Sequence, residues 1–262
     1  MTRIQERRNT IKNRHSERQK KRIRMMKIRR TIFFSVLAAI VLIIILFYTP
    51  LFKIRSVEVA GNNKVETAEI LNVIGETEGK NLFRINTSSM KRKLKQSPYI
   101  EDVDTDRVVL KSKLIINIKE AEEAACIPGG AGYIIINTDT KVLSETAEKP
   151  KDIPEISGIS LTNITVGEEI ETDDKEKYDI VKNCLAEMKK IDILKGVRSI
   201  SVANVANISF NYEDRLDAVC GSRVDLAKKL GFFKSAINSS RLTENSRGTI
   251  DLTTVGKAIY TP

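Results

Sequence analysis

One histidine is all the chain contains, and it stands at His15, ahead of every stretch with the pattern of a folded domain. Past that point there is no partner for a Ser-His or Cys-His nucleophile pair and no imidazole to hold a metal. Cysteine is nearly as scarce. Cys126, Cys184 and Cys220 are odd in number and widely separated, which excludes a disulfide framework and a thiolate metal site. Their settings, AACIP, VKNCLAEM and DAVCGS, suit small buried apolar residues. Carboxylates remain, as in the neighbours Glu122 with Glu123 and Asp173 with Asp174. Neighbours point apart on helix and strand alike, so they read as solvated faces and not as acid/base dyads. A Ser-Lys arrangement is formally open at Ser112 with Lys113 and at Ser89 with Lys91, while the residue three places after Ser89 is Arg92, a group that cannot act as a base. The glycines of Pro128-Gly129-Gly130-Ala131-Gly132 lack the Lys-Ser/Thr of a phosphate loop and read as a flexible turn.

What is present begins with charge. Residues 1–30 carry 13 of the chain's 44 Lys and Arg against two acids, Glu6 and Glu17, so its formal +10 resides there and the remainder is close to neutral. No Gly, Pro or aromatic precedes Phe33, which leaves this tail either disordered or a surface-lying helix. Then come 22 residues without a charge, Thr31 to Phe52, TIFFSVLAAIVLIIILFYTPLF. As a helix the run is about 33 Å long, enough for a hydrocarbon core of about 30 Å. It is longer than the apolar segment of a cleaved signal and leaves through Phe47, Tyr48, Thr49 and Pro50 without a small-x-small site, as a retained anchor would. The excess of Lys and Arg before it places the N-terminus in the cytoplasm and everything after Lys53 outside.

The outer part is long enough for two domains and changes pattern near Glu120. Lys53 to Val59 alternates as a strand, Gly61-Asn62-Asn63 turns, and Thr67 to Ile74 forms a short helix stopped by Gly75. Thr87 or Ser88 caps a second helix with Met90 and Leu94 inward, ended by Pro98. Strands Ile100 to Val109 and Lys113 to Glu120 complete a β-α-α-β-β order. Further on, Tyr133–Asn137 and Lys141–Leu143 make a hairpin, and a loop runs from Pro150 to Gly158. Lys175 to Ile193 is helical with Tyr178, Val181, Leu185 and Met188 on one face and Asp173 as cap. Strands Val197–Val202, Ile208–Tyr212 and Leu216–Cys220 lead to a helix starting at Ser222, with Leu226, Leu230, Phe233 and Ile237 facing the core.

Phe52-x-Ile54-x-x-Val57-x-Val59-x-Gly61-Asn62, Gly79-x-Asn81-Leu82-Phe83-x-Ile85, Pro98-x-Ile100, Arg107 and Leu114-x-Ile116-x-Ile118-x-Glu120 follow one another in an order that resembles the POTRA domain of the FtsQ/DivIB cell-division family. The chain departs from that pattern at Lys111 and Glu123, where prolines are usual, and at Ala121, where arginine often follows. Ile153-Pro154-Glu155-Ile156-Ser157-Gly158 is similar to the family's proline-isoleucine-glycine link, and Gly248-Thr249-Ile250-Asp251-Leu252 to its late Gly-x-Ile-Asp-Leu strand.

The resemblance implies an α+β chain in four parts: a basic cytoplasmic tail, 1–30; one transmembrane helix, 31–52; a POTRA domain, 53–121; and a mixed domain with an antiparallel-rich sheet, 122–262. It implies a non-enzymatic organiser of the bacterial septum that assembles with small bitopic division proteins of the FtsL and FtsB/DivIC type. No cofactor, metal, nucleic acid or small-molecule substrate is expected. A terminal strand, Thr249 to Thr254, followed by Lys257 to Tyr260, can present an open edge to a partner strand, which singles out Ile250, Leu252, Thr254 and Tyr260. Two other readings stay open: an anchored cell-wall enzyme, against which the missing histidine weighs, and a POTRA-bearing secretion or sporulation component that binds extended polypeptide.

Overall fold

The structure, a computed structural model, describes residues 3–48, 52–239 and 242–262, with the backbone alone for 3–23 and Phe47. Helix α1, Arg3–Tyr48, runs unbroken from the basic tail through the apolar run. The lack of Gly and Pro in that stretch allows it, and the helical form is the one the tail takes. Among the described residues this is the one helix long and apolar enough to cross a membrane, over Arg24–Leu46. Residues 49–51, the expected exit of the span, and the His15 side chain lie outside the described set.

Two compact units make up the chain. One comprises residues 1–58, 76–86 and 106–115; the other comprises 59–75, 87–105 and 116–262. In the first, the segment after the span is held on both sides by main-chain bonds. Leu82 N donates to Phe52 O at 2.8 Å and Ile54 N to Lys80 O at 2.9 Å, while Arg55 N donates to Ser112 O at 2.8 Å. Ile54 and Leu82 are buried, and the Phe52 and Phe83 rings meet edge to face at 5.3 Å. Strands β1 (Ser56–Ala60), β2 (Ile100–Val108) and β3 (Lys113–Glu120) form a sheet in the order β1-β3-β2. β1 begins three residues later than its alternation suggests, because Lys53 makes only an isolated bridge to Asn81.

In the second unit, α2 (Thr67–Ile74) and α3 (Thr87–Leu94) pack together and bury Ile70, Ile74, Met90 and Leu94. The turn before α2 explains the Gly61-Asn62 pair. Gly61 has φ +84, and a Cβ there would stand 2.2 Å from Ile118 O. Asn62 Nδ2 donates to Val65 O at 2.9 Å and to Thr67 Oγ1 at 3.1 Å.

The larger sheet has nine strands: β4 (Ala125–Gly129), β5 (Gly132–Ile136), β6 (Val142–Thr146), β7 (Glu155–Ser157), β8 (Val197–Ser201), β9 (Ile208–Tyr212), β10 (Leu216–Gly221), β11 (Gly248–Asp251) and β12 (Ile259–Thr261). Their order is β12-β11-β10-β9-β8-β7-β4-β5-β6, antiparallel except at β10/β11, β7/β8 and β4/β7. Helices α4 (Lys175–Lys190) and α5 (Leu226–Ile237) contribute Val181, Cys184, Leu185, Met188, Leu230 and Phe233 to the core beneath it.

Two helix starts differ from expectation. The cap of α4 is Asp174, whose carboxylate accepts from Lys177 N at 3.0 Å, and not Asp173. Helix α5 starts at Leu226 and not Ser222. Residues 222–225 instead turn through Asp225 at φ 53, and Lys229 Nζ reaches back to donate to Cys220 O and Ser222 O, both at 2.9 Å.

Candidate partner-binding edge

The end of the nine-stranded sheet is built by a strand-helix-strand step. β10 leads into α5, whose Leu230 and Phe233 are fully buried, and α5 returns the chain so that β11 lies parallel to β10. Ala218 stands opposite both Phe210 on β9 and Ile250 on β11, so all three share one face. Phe210 meets Phe233 edge to face at 4.8 Å, which identifies that face as the one under the helices. Leu252 N, one residue past β11, donates to Val219 O at 2.8 Å, and its side chain is also in the core.

β11 is therefore not the open edge that the sequence suggested. Its second side is taken by β12, with Thr249 opposite Thr261, Ile250 opposite Tyr260 and Asp251 opposite Ile259. The reversal is made by residues 252–258, where Asp251 Oδ1 accepts from Thr253 N at 2.8 Å and Thr254 O accepts from Lys257 N at 3.3 Å. Bonding to Thr253 holds the Asp251 carboxyl below its ordinary range. The sheet's terminal strand is β12, and a three-residue strand ending a sheet offers main-chain groups to an incoming strand.

The four residues singled out from the sequence take unlike places. Ile250 and Leu252 are 0 % exposed and belong to the core. Thr254 is exposed on the turn, and Tyr260 is exposed on β12 with its hydroxyl donating to Arg247 O at 2.7 Å. Register brings Ile250 and Tyr260 side by side; the two others lie beyond the end of β11. Two exposed apolar residues were passed over, Val255 at 45 % and Ile259 at 53 %. Ile259, two places before Thr261 in a short terminal strand, carried a period-2 signal too brief to weigh.

Ile259 lies on the face away from the helices. Its row across the sheet runs Asp251, Val219, Ser209, Ser201 and Ser157, and the neighbouring row runs Thr261, Thr249, Asp217, Asn211 and Ser199. This is a small, polar face, in which Asn211 Nδ2 donates to Asp217 Oδ1 at 2.8 Å. At the β5–β6 end, cover comes from Tyr99, which packs with Ala121, Ile135 and Leu143 and sets its hydroxyl 2.8 Å from Ser144 Oγ.

The three thiols are buried, and loss of solvation pushes Cys126 up to about 11 and Cys184 and Cys220 to about 12. No group of three or more His, Cys, Asp or Glu suited to a metal is found among the described residues.

Residues 52–121 match the family model described as "POTRA domain, FtsQ-type". The chain is 27% identical over 198 residues to the cell division protein DivIB of Clostridium tetani, covering 75% of this chain and 74% of that one. It is 24% identical over 221 residues to DivIB of Clostridium acetobutylicum, covering 84% and 87%. With the cell division protein FtsQ of Corynebacterium glutamicum it shares 27% over 123 residues, 47% of this chain and 54% of the other. An apolar N-terminal helix, an FtsQ-type POTRA domain and similarity to DivIB that continues through most of the chain agree with one another: the chain carries an FtsQ-type POTRA domain and is similar to the DivIB and FtsQ cell division proteins.

Proposed function

We propose that this chain is a non-enzymatic scaffold of the bacterial division machinery, anchored once in the cell membrane with its basic tail in the cytoplasm and its later domains outside, at the septum. The four-part division at residues 30, 52 and 121 belongs to this reading. The POTRA part lies near the anchor, and the nine-stranded part presents the strand β12 to small bitopic membrane proteins of the FtsL and FtsB/DivIC type. The observation that carries the partner site is the pairing of β12. It is short, exposed at all three residues and, among the described residues, bonded on one side only, by β11, so a partner strand added there gains main-chain hydrogen bonds without disturbing the core. Tyr260 and Ile259 then supply side-chain contacts on opposite faces, Thr254 flanks them on the turn, and Ile250 and Leu252 act from beneath by fixing β11.

The test is recovery of partners from crosslinked, intact membranes with the full chain and with a chain ending at Lys257, which loses β12 but keeps the buried Ile250 and Leu252. Small bitopic division proteins recovered with the full chain and lost with the shortened one support the reading. Equal recovery removes β12 from the site, and recovery of exported polypeptides instead supports a secretion role.

A further inference from the structure

Leu110 is 101 % exposed, a full-sized apolar side chain with no protein contact to cover it. It sits in the middle of a single 3-10 turn, Val109–Lys111, closed by Ser112 N donating to Val109 O at 3.1 Å and by Ser112 in the left-handed region at φ 53. Val109 beside it is 38 % exposed. Burying a leucine contributes about 1.5–3 kcal/mol, so a folded turn that holds one outward forgoes that stabilisation within the chain.

The turn's location is given by its bonds. Ser112 O receives Arg55 N at 2.8 Å, which ties the turn to the segment that follows the apolar helix by only a few residues. The loop on the other side of that segment reaches the helix itself. Asn81 Nδ2 donates to Leu46 O at 3.1 Å, and the Arg84 guanidinium lies 5.2 Å from the centre of the Tyr48 ring. All of these residues fall in the same compact unit as the helix.

Cations outnumber acids around the turn, where Glu58 is the acid that acts on both Lys113 and Lys111. Lys53, Arg55, Lys80, Arg84 and Lys111 are exposed, and none has an ion-pair partner among the described residues, whereas nearby Lys113 is paired with Glu58. Apolar tips ringed by unpaired cations beside a membrane span match an interface with apolar chains below and anionic headgroups above. Each such cation contributes about 1 kcal/mol near an anionic surface.

We infer that the Val109–Lys111 turn is a second membrane contact, with Leu110 inserted into the outer-leaflet interface and Lys53, Arg55, Lys80, Arg84 and Lys111 against anionic lipid phosphates. This inference rests on the single-anchor topology proposed above. It makes the POTRA part a two-point attachment to the bilayer, so that its orientation is fixed by lipid as well as by the span.

The chain has no tryptophan, so one introduced residue is an unambiguous reporter. Full-length chains carrying Leu110→Trp, Leu37→Trp within the span, or Val224→Trp at an exposed site on the larger sheet's domain would be placed in nanodiscs of phosphatidylcholine with and without phosphatidylglycerol. Acyl-chain bromine and aqueous iodide are the quenchers. Expected for Leu110→Trp is blue-shifted emission quenched by bromine and shielded from iodide, an effect strengthened by phosphatidylglycerol and reduced by Lys53→Gln with Lys111→Gln. Emission and iodide quenching equal to those of Val224→Trp, while Leu37→Trp is quenched by bromine, would overturn the inference and leave the anchor intact. Loss of bromine quenching at Leu37→Trp would overturn the anchor reading and the inference with it. Insertion of Leu110→Trp that is equal in both lipid mixtures would overturn the charge contribution.

Discussion

The hydroxyl of Tyr260, in the last strand, donates to the main-chain oxygen of Arg247, just ahead of β11, at 2.7 Å. That bond clasps the sheet's terminal strand to the start of its neighbour, and it lets one side chain serve two purposes: fixing β12 and presenting an aromatic ring. Tyr260→Phe keeps the ring and removes the clasp. It is expected to cost about 0.5–1.5 kcal/mol of stability in the last strand, seen as faster hydrogen exchange there, with partner recovery largely retained. Ile259→Glu, at a residue outside the core, is expected to leave the melting temperature unchanged and to lower partner recovery, measured on the same membranes.

Glu120 closes the POTRA motif for a reason visible only in three dimensions. Its carboxylate accepts from Lys64 N at 2.9 Å and Val65 N at 2.9 Å, holding the turn between β1 and α2. Burial alone would raise its pKa, but bonds from the backbone of Lys64, Val65 and Asn63 together outweigh that and keep it below the ordinary 4.5. A lowered folded pKa means that the stabilisation is complete above the unfolded value and disappears as pH falls through the folded one. Glu120→Gln is expected to destabilise by about 1–2 kcal/mol at neutral pH. In urea titrations from pH 7 down to 3, the gap between the two proteins should close below the unfolded value; a constant gap would contradict the assignment.

The three thiols predict a simple chemical behaviour. A thiol whose pKa stands near 11 or 12 has almost no thiolate at neutral pH, and burial also denies access. In the folded chain an aromatic disulfide reagent should therefore label none of Cys126, Cys184 and Cys220 within minutes, and all three once the chain is unfolded in guanidinium.

Lys229 is, among the described residues, the one buried cationic side chain of the larger sheet's domain, 3 % exposed, and it satisfies two carbonyls at the end of β10. Lys229→Met preserves length and removes both donors. The expected loss is about 1–3 kcal/mol by thermal or urea unfolding, because two main-chain oxygens are left with no replacement partner.

How far the sequence foretold this molecule depends on how local each signal was. Helix α2, with Gly75 at φ 71 as its stop, and strand β3, with Leu114, Ile116 and Ile118 buried in alternation, were legible because periodicity and turn chemistry lay within a few residues. The start of α5 was misplaced because residues 222–225 form a turn stabilised by Lys229, a contact that periodicity does not encode. The roles of Ile250 and Thr254 were hidden for a related reason. Which strand ends the sheet is decided by how residues 252–258 reverse the chain, so that β10 takes one side of β11 and β12 the other. Leu110, between the two expected strands, carries no signal in the sequence, since full exposure of one leucine is a property of the folded turn.

The central claim, that β12 is the docking edge, is tested most directly by a photo-crosslinking amino acid placed at Ile259 and, for comparison, at Val224, in full-length chains within dividing cells. The account predicts a crosslink from position 259, and none from position 224, to a small bitopic division protein, abolished when the chain ends at Lys257. A crosslink from position 224 with none from 259, or adducts at 259 only to unrelated exported chains, would contradict it.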